Sequence, residues 1–179
     1  MCIRDSVYAP LRLDPAGRAH LLVCDRVEAP CLEGAVIERW TISGDSRSAQ
    51  DPGQSVVFRA IPQLLARLRH RLANERIGLR LYAAGEEGFL WDVAGIAGAA
   101  GMSPEEIAVT RLGGISRRVR CVHCGTDMEH VATSLVACSG CGARLAVRDH
   151  FSKRLGAFMG VQADAEVPGE HEPSVRLSS

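Results

Sequence analysis

The sequence predicts an α/β protein: a mostly parallel sheet domain over residues 7–115, then a small β domain over residues 117–166 that carries four cysteines and ends in a helix. Three observations carry that expectation. Short continuous apolar runs such as His20-Leu21-Leu22-Val23-Cys24-Asp25 have the form of strands buried on both faces of a parallel sheet. Between later runs lie segments whose apolar residues recur at helical spacing, so that strand, helix and strand succeed one another as in crossover units. Finally, Cys121-x-x-Cys124 and Cys138-x-x-Cys141 stand thirteen residues apart. Each such pair forms a tight turn that can aim two sulfurs at one ion.

Composition sets the limits within which these elements are read. The chain has 179 residues, 46% hydrophobic and 23% charged, which suits a soluble protein able to bury a core. Aromatics supply only 4%, so the core is expected to be built from Leu, Val, Ile and Ala. Lys plus Arg equals Asp plus Glu at 21 each, a balance that argues against a nucleic-acid partner, which needs an excess of cation on one face. No apolar run approaches the length of a membrane span, and nothing at the N-terminus resembles a signal peptide. The chain is therefore expected in the cytoplasm, where its seven cysteines are thiols or metal ligands and not disulfides.

Taken in order, Met1-Cys2-Ile3-Arg4-Asp5-Ser6 resembles a translated sequencing adaptor and is expected to be an artefact. The first strand is His20 to Asp25. Val36 to Ser43 alternates as a second strand, although Cys31 to Arg39 can equally begin a helix. Gly44 to Gln54 reads as a loop, and Val56-Val57-Phe58 as a third strand. From Ile61 to Asn74, Ile61, Leu64, Leu65, Leu68 and Leu72 mark the apolar stripe of a helix, while Arg67, Arg69, His70 and Arg71 occupy its solvated face. Gly78 to Ala84 is the next strand. Phe89 to Ala100 is a second helix closed by Gly101, Ser103-Pro104-Glu105-Glu106 a capped turn, and Ile107 to Thr110 a last strand.

In the C-terminal third, Arg117 to Val122 and Val131 to Ala137 lead into the two cysteine turns, and Leu145-Ala146-Val147 can pair back. The pattern is that of a zinc-ribbon-like domain too small to fold without its ion. Gly125, Gly140 and Gly142 sit where such turns require positive φ. Four thiolates suit tetrahedral zinc; a single rubredoxin-type iron, or a [2Fe–2S] cluster, is the alternative. Cys121, Cys124, Cys138 and Cys141 are thus the expected metal ligands, with His123 and His130 as bystanders. Beyond them, Asp149 can cap a helix with Phe151, Leu155, Phe158 and Met159 on its apolar face and Lys153 and Arg154 outside. His150 is expected to pack at that helix's start. From Val167 onward the tail, with Pro168, Gly169 and Pro173, has the composition of a disordered segment.

No catalytic constellation is evident. Asp92 and the Glu105/Glu106 pair do not form an acid–base set, no nucleophile motif joins a Ser or Cys to a His, and Cys24 and Cys31 read as ordinary buried thiols.

Two family resemblances add to this reading. Arg80-Leu-Tyr-Ala-Ala-Gly-Glu-Glu-Gly-Phe-Leu-Trp-Asp-Val93, followed by Ala100-Gly-Met-Ser-Pro-Glu-Glu-Ile107, resembles the last strand, helix, strand unit of the nucleotide-binding domain of ferredoxin-reductase-like flavoproteins. That likeness implies a Rossmann-like sheet and makes Gly85 and Gly88 the candidate cofactor-binding positions. The Gly-rich phosphate loop is absent, since Leu21 to Asp25 runs into Arg26-Val-Glu-Ala-Pro30, and Glu86 and Glu87 stand where an anion would approach. The second resemblance covers residues 121–170. Joined to the two cysteine turns, Asp149-His-Phe-Ser-Lys-Arg-Leu-Gly-Ala-Phe-Met-Gly-Val161 resembles the C-terminal domain of the small, A-type subunit of dimethylamine monooxygenase. It implies an assembly subunit of a multi-component, NAD(P)H-dependent monooxygenase that demethylates a small secondary amine. The partners it implies are a flavin and iron–sulfur reductase and a haem-containing oxygenase subunit, which would carry those cofactors. The alternatives are a rubredoxin-like electron carrier and a free-standing zinc-ribbon interaction module.

Overall fold

The computed structural model describes residues 10–28, 30, 32, 37–43, 55–75, 77–152, 154–165, 169 and 172–177. Cys2 and the rest of the expected artefact, Cys31, the 44–54 loop and Lys153 lie outside them. Two compact units emerge, Tyr8–Gly113 and Gly114–Ser179.

The first unit is a five-stranded sheet with every pairing parallel. Its strands are β1 (Ala19–Cys24), β2 (Ile37–Ile42), β3 (Ser55–Phe58), β4 (Leu79–Gly85) and β5 (Ile107–Arg111), in the order β3-β2-β1-β4-β5. Helix α1 (Ile61–Ala73) joins β3 to β4, and α2 (Glu87–Ala99) joins β4 to β5. The two long apolar stripes decide the packing. Leu64, Leu65, Leu68 and Leu72 of α1 and Phe89, Leu90, Val93, Ile96 and Ala97 of α2 share one cluster with Leu21, Val23, Trp40, Leu81 and Ala83 of the sheet. The strand residues in between face the other way, where Leu22, Cys24, Ile37, Tyr82 and Ala84 pack with Leu32, Leu11 and Leu13. β1 and β4 are buried on both faces, which is why their sequences are continuous apolar runs and do not alternate.

Helix ends follow the expected chemistry. Gly101, at φ +88°, lets the chain leave α2: its N–H donates to Gly98 O at 3.0 Å, and the Met102 N–H donates to Ala97 O at 3.1 Å. Ser103 N–H then donates to Glu106 Oε2 at 3.0 Å and closes the 3-10 turn Pro104–Glu106 before β5.

The second unit is a mixed sheet of β6 (Arg117–Cys121), β7 (Asp127–Val131), β8 (Leu135–Ala137), β9 (Arg144–Ser152) and β10 (Ala157–Gln162), ordered β7-β6-β10-β9-β8. Only β10 and β6 run parallel. Val119, Cys121, Met128, Val131, Cys138, Leu145 and Phe158 form its core.

Here the structure corrects three expectations. The helix foreseen after the second cysteine pair is the β9–β10 hairpin. Phe151 and Phe158, which fit one helical face, instead sit opposite each other across the hairpin with ring centroids 5.0 Å apart. Gly156, at φ +61°, makes the turn, and the Leu155 and Gly156 N–H groups donate to Ser152 O at 3.1 and 2.8 Å. β10 lies between β6 and β9, so its backbone is bonded on both edges; a helix there would strand the polar groups of both neighbours. Gly160 permits that insertion, since a Cβ would come 2.8 Å from Val119 Cγ1. Asp149 accordingly caps nothing. Its carboxylate is exposed and accepts from Arg117 Nη1 at 2.9 Å, and His150 is an exposed strand residue. The Val131 to Ala137 strand is divided between β7 and β8 by residues 132–134, and β7 itself was not foreseen. In the tail, the Ser134 N–H donates to Val175 O at 2.8 Å, and the Leu177 N–H donates to Ala132 O at 2.9 Å.

Candidate metal centre

The two cysteine turns are built alike. In the first, the Gly125 N–H donates to Cys121 O at 2.9 Å and the Cys121 N–H to Thr126 O at 2.9 Å. In the second, the Gly142 N–H donates to Cys138 O at 2.9 Å and the Cys138 N–H to Ala143 O at 2.8 Å. The glycine after each outer cysteine has positive φ, +76° at Gly125 and +74° at Gly142, as the tight turn demands. Gly140 has a different reason to be glycine. A Cβ there would lie 2.2 Å from Thr126 Oγ1 and 3.2 Å from Cys124 Sγ, so its bareness lets the two turns meet. Its own N–H points at Cys138 Sγ, 3.4 Å away.

β6 delivers Cys121 and β8 delivers Cys138 to the core, where they are 1% and 3% exposed, while Cys124 and Cys141 face solvent. All four Sγ atoms lie within 4.8 Å of one another. Cys124 and Cys138 are 3.5 Å apart and Cys121 and Cys141 3.8 Å. A tetrahedron with metal–sulfur bonds of about 2.3 Å has edges of about 3.8 Å. The two edges at 3.5 and 3.8 Å, in a set of four sulfurs within 4.8 Å, therefore suit a tetrahedral ion.

Electrostatics points the same way, because four sulfurs this close cannot all ionise without a cation. Cys124 is pushed down to about 6 by the Thr126 hydroxyl and backbone N–H, which favour its thiolate. Cys141 accepts from the Ala143 N–H, which acts downward, yet burial and the neighbouring sulfurs of Cys124, Cys138 and Cys121 push it up to about 12. Thr126, whose Oγ1 is 3.2 Å from Cys124 Sγ, is a residue the sequence reading missed. Its position two residues after a knuckle cysteine was the available signal. His123 and His130 are both exposed and outside the sulfur cluster; His130 adopts φ +58°.

The other sequence-derived positions are dispersed. Cys24 is buried in β1, where burial first of all raises its thiol pKa. Glu106 reaches Arg80 Nη1 at 3.3 Å, and Asp92 sits half-buried on α2. Gly85 ends β4 beside β1, the point at which strand order reverses and where open α/β sheets bind ligands. Gly88 lies in the first turn of α2. A carboxylate of the chain already fills this crevice. Asp25, its side chain 5% exposed, accepts from the Glu86 N–H at 2.6 Å and from Arg26 Nε at 2.8 Å. A Cβ on Gly85 would lie 2.4 Å from Asp25 Oδ2. An internal anion thus stands at the start of α2, where a ligand phosphate would otherwise sit. Asp25 too went unremarked in the sequence, hidden as the last letter of an apolar run.

Comparison with known proteins bears on both units. Residues 45–107 match the N-terminal domain, and residues 118–161 the C-terminal domain, of the family described as dimethylamine monooxygenase subunit DmmA-like. The chain is also 40% identical over 111 residues to the heme-dependent oxidative N-demethylase delta subunit of Ectopseudomonas mendocina (strain ymp). That stretch is 62% of this chain and 63% of that subunit, so the match spans less than two thirds of the relative. No solved structure is significantly similar to the chain.

Proposed function

The chain belongs to the dimethylamine monooxygenase subunit DmmA-like family, and from that premise we propose that it is a non-haem, metal-binding subunit of a multi-component oxidative N-demethylase. The observation that carries the reading is the match of both family domains in one chain and in order, with the four cysteines inside the second. The activity is NAD(P)H-dependent removal of a methyl group from dimethylamine or a related small amine. Haem resides on an oxygenase partner, in keeping with the relative's name, and flavin and iron–sulfur groups on a reductase. Neither Cys-x-x-Cys pair of this chain is followed by the His that covalent haem attachment requires.

Within the complex, Cys121, Cys124, Cys138 and Cys141 hold zinc. Zinc with four protein thiolates has no open position, so it supplies folding energy and not Lewis-acid chemistry. The ion joins the end of β6 to the end of β8, and the chain's task is assembly. Asp25 supports a corollary for the α/β unit: its crevice is already charged and filled, so the nicotinamide cofactor binds a partner. An iron-bearing electron carrier is the second reading, favoured by the solvent exposure of Cys124 and Cys141.

The test is reconstitution. The haem and reductase subunits, with and without this chain, are assayed for NADPH-dependent formaldehyde release from dimethylamine, and the chain is analysed for metal. Co-purification, dependence of turnover on the chain, and a colourless protein with one zinc per chain are expected. Full turnover without the chain refutes the subunit role. A reversible thiolate-to-iron absorption band establishes the electron carrier instead.

A further inference from the structure

We propose that the four-cysteine centre is also an oxidation site for small hydroperoxides, whose sulfurs close across the two turns, Cys124 onto Cys138 and Cys141 onto Cys121, as the metal leaves. This rests on the zinc reading above. Each turn offers one sulfur to solvent and keeps one inside: Cys124 and Cys141 are exposed, whereas Cys121 and Cys138 are buried at 1% and 3%. A hydroperoxide therefore meets the outer sulfur of a turn first. Across the turns, Cys124 lies 3.5 Å from the inner sulfur of Cys138, and Cys141 lies 3.8 Å from the inner sulfur of Cys121. Closing each pair to the ~2.05 Å of a disulfide needs ~1.5–1.8 Å of approach. The bonds that shape each turn, Gly125 N–H to Cys121 O and Gly142 N–H to Cys138 O, can stay in place.

The chemistry balances with the hydroperoxide as the only oxidant. The Cys124 thiolate attacks the terminal oxygen, the O–O bond breaks, and a sulfenic acid and an alkoxide (hydroxide, from hydrogen peroxide) result. The Cys138 thiolate then attacks the sulfenic sulfur and expels hydroxide, forming the disulfide; the alkoxide and the hydroxide each take a proton from the buffer, giving an alcohol (water, from hydrogen peroxide) and water. Two electrons leave the sulfurs and reduce one peroxide. Cys141 and Cys121 consume a second peroxide in the same way, and the zinc, with no thiolate left, departs. Dioxygen reduction at haem, the reaction proposed for the complex, makes hydrogen peroxide whenever it runs uncoupled from the amine. The two bonds are nested, 124–138 inside 121–141, so they hold the turns together in place of the ion.

The experiment uses the full chain, with zinc measured first. Hydrogen peroxide is added in excess, zinc release is followed with a chromogenic chelator, and free thiols are blocked. The unreduced protein is then cut after Glu129, between the two cysteine pairs, and mapped by tandem mass spectrometry. We expect loss of the one zinc in step with four thiols, and peptides joined across the cut by Cys124–Cys138 and Cys121–Cys141 bonds. Disulfides within a turn, the crossed pairing Cys121–Cys138 with Cys124–Cys141, sulfinic or sulfonic acids without disulfides, or retained zinc each overturn the proposal. A chain without zinc at the outset refutes the zinc reading, and the proposal with it; zinc present but retained refutes the proposal alone.

Discussion

Replacing Cys138 by Ser tests whether the ion is the keystone of the second unit. Cys138 is a core side chain, 3% exposed, in one cluster with Val119, Cys121, Met128, Val131, Leu145 and Phe158. The substitution removes one of four donors and leaves a hydroxyl in that core. Four-ligand structural zinc contributes about 10–16 kcal/mol of apparent binding energy at neutral pH in small domains. Net folding stability is typically about 5–15 kcal/mol. Losing even half of the metal term therefore rivals the whole stability of the small core. The expected result is unfolding of the 114–179 unit, not a modest softening, with loss of bound metal and weaker association with partner subunits. The α/β unit has its own cores, one on each face of its sheet, and is expected to persist. Zinc content, circular dichroism and hydrogen exchange resolved by peptide report on the two units separately. A soluble variant with unchanged metal content, native protection in β6 to β10 and normal complex formation would refute the reasoning.

Further predictions address single contacts. Gly140→Ala places a methyl 2.2 Å from Thr126 Oγ1 and 3.2 Å from Cys124 Sγ, so zinc affinity measured by chelator competition should fall about 10–100-fold; an unchanged affinity means that the turns can separate at no cost. Asp25→Ala leaves the Glu86 N–H and the Arg26 guanidinium without their acceptor, and denaturant unfolding of the α/β unit should show a loss of about 2 kcal/mol. A neutral effect would remove the structural role assigned to that carboxylate. Asp14 concerns pH. The Arg80 side chain, bonded to its Oδ2, and the Ala16 N–H hold its carboxyl below the ordinary value. A carboxyl so depressed lends stability above its ordinary pKa of 3.8 and loses it as pH falls through the folded value. Melting curves of the protein and Asp14→Asn should therefore lie apart at pH 6 and converge below pH 4; parallel curves would exclude the linkage.

The α/β unit was legible because its signals are local. A helix such as α1 declares itself through the spacing of Leu64, Leu65, Leu68 and Leu72, and β1 through an unbroken apolar run, whatever their partners. The two cysteine turns were legible for the same reason, as each places cysteine and glycine within five residues. Residues 149–161 were misread because Phe151, Leu155, Phe158 and Met159 satisfy helical spacing and hairpin pairing alike. Leu155 proves to be 36% exposed, at the turn.

The sequence by itself thus determined the four cysteines that cluster, the order of elements in the first unit and the family to which the chain belongs. Only the tertiary structure decided that β10 is a strand, that Gly140 is bare to admit Thr126, and that Asp25 occupies the crevice beside Gly85. The physical reason is common to all three. A period along the chain specifies which side chains share a face, but a backbone hydrogen bond, a close approach or a buried carboxylate is settled by a partner distant in sequence. β10 takes its bonds from β6 and β9, Gly140 meets a residue of the other turn, and Asp25 finds the Glu86 amide across 61 positions.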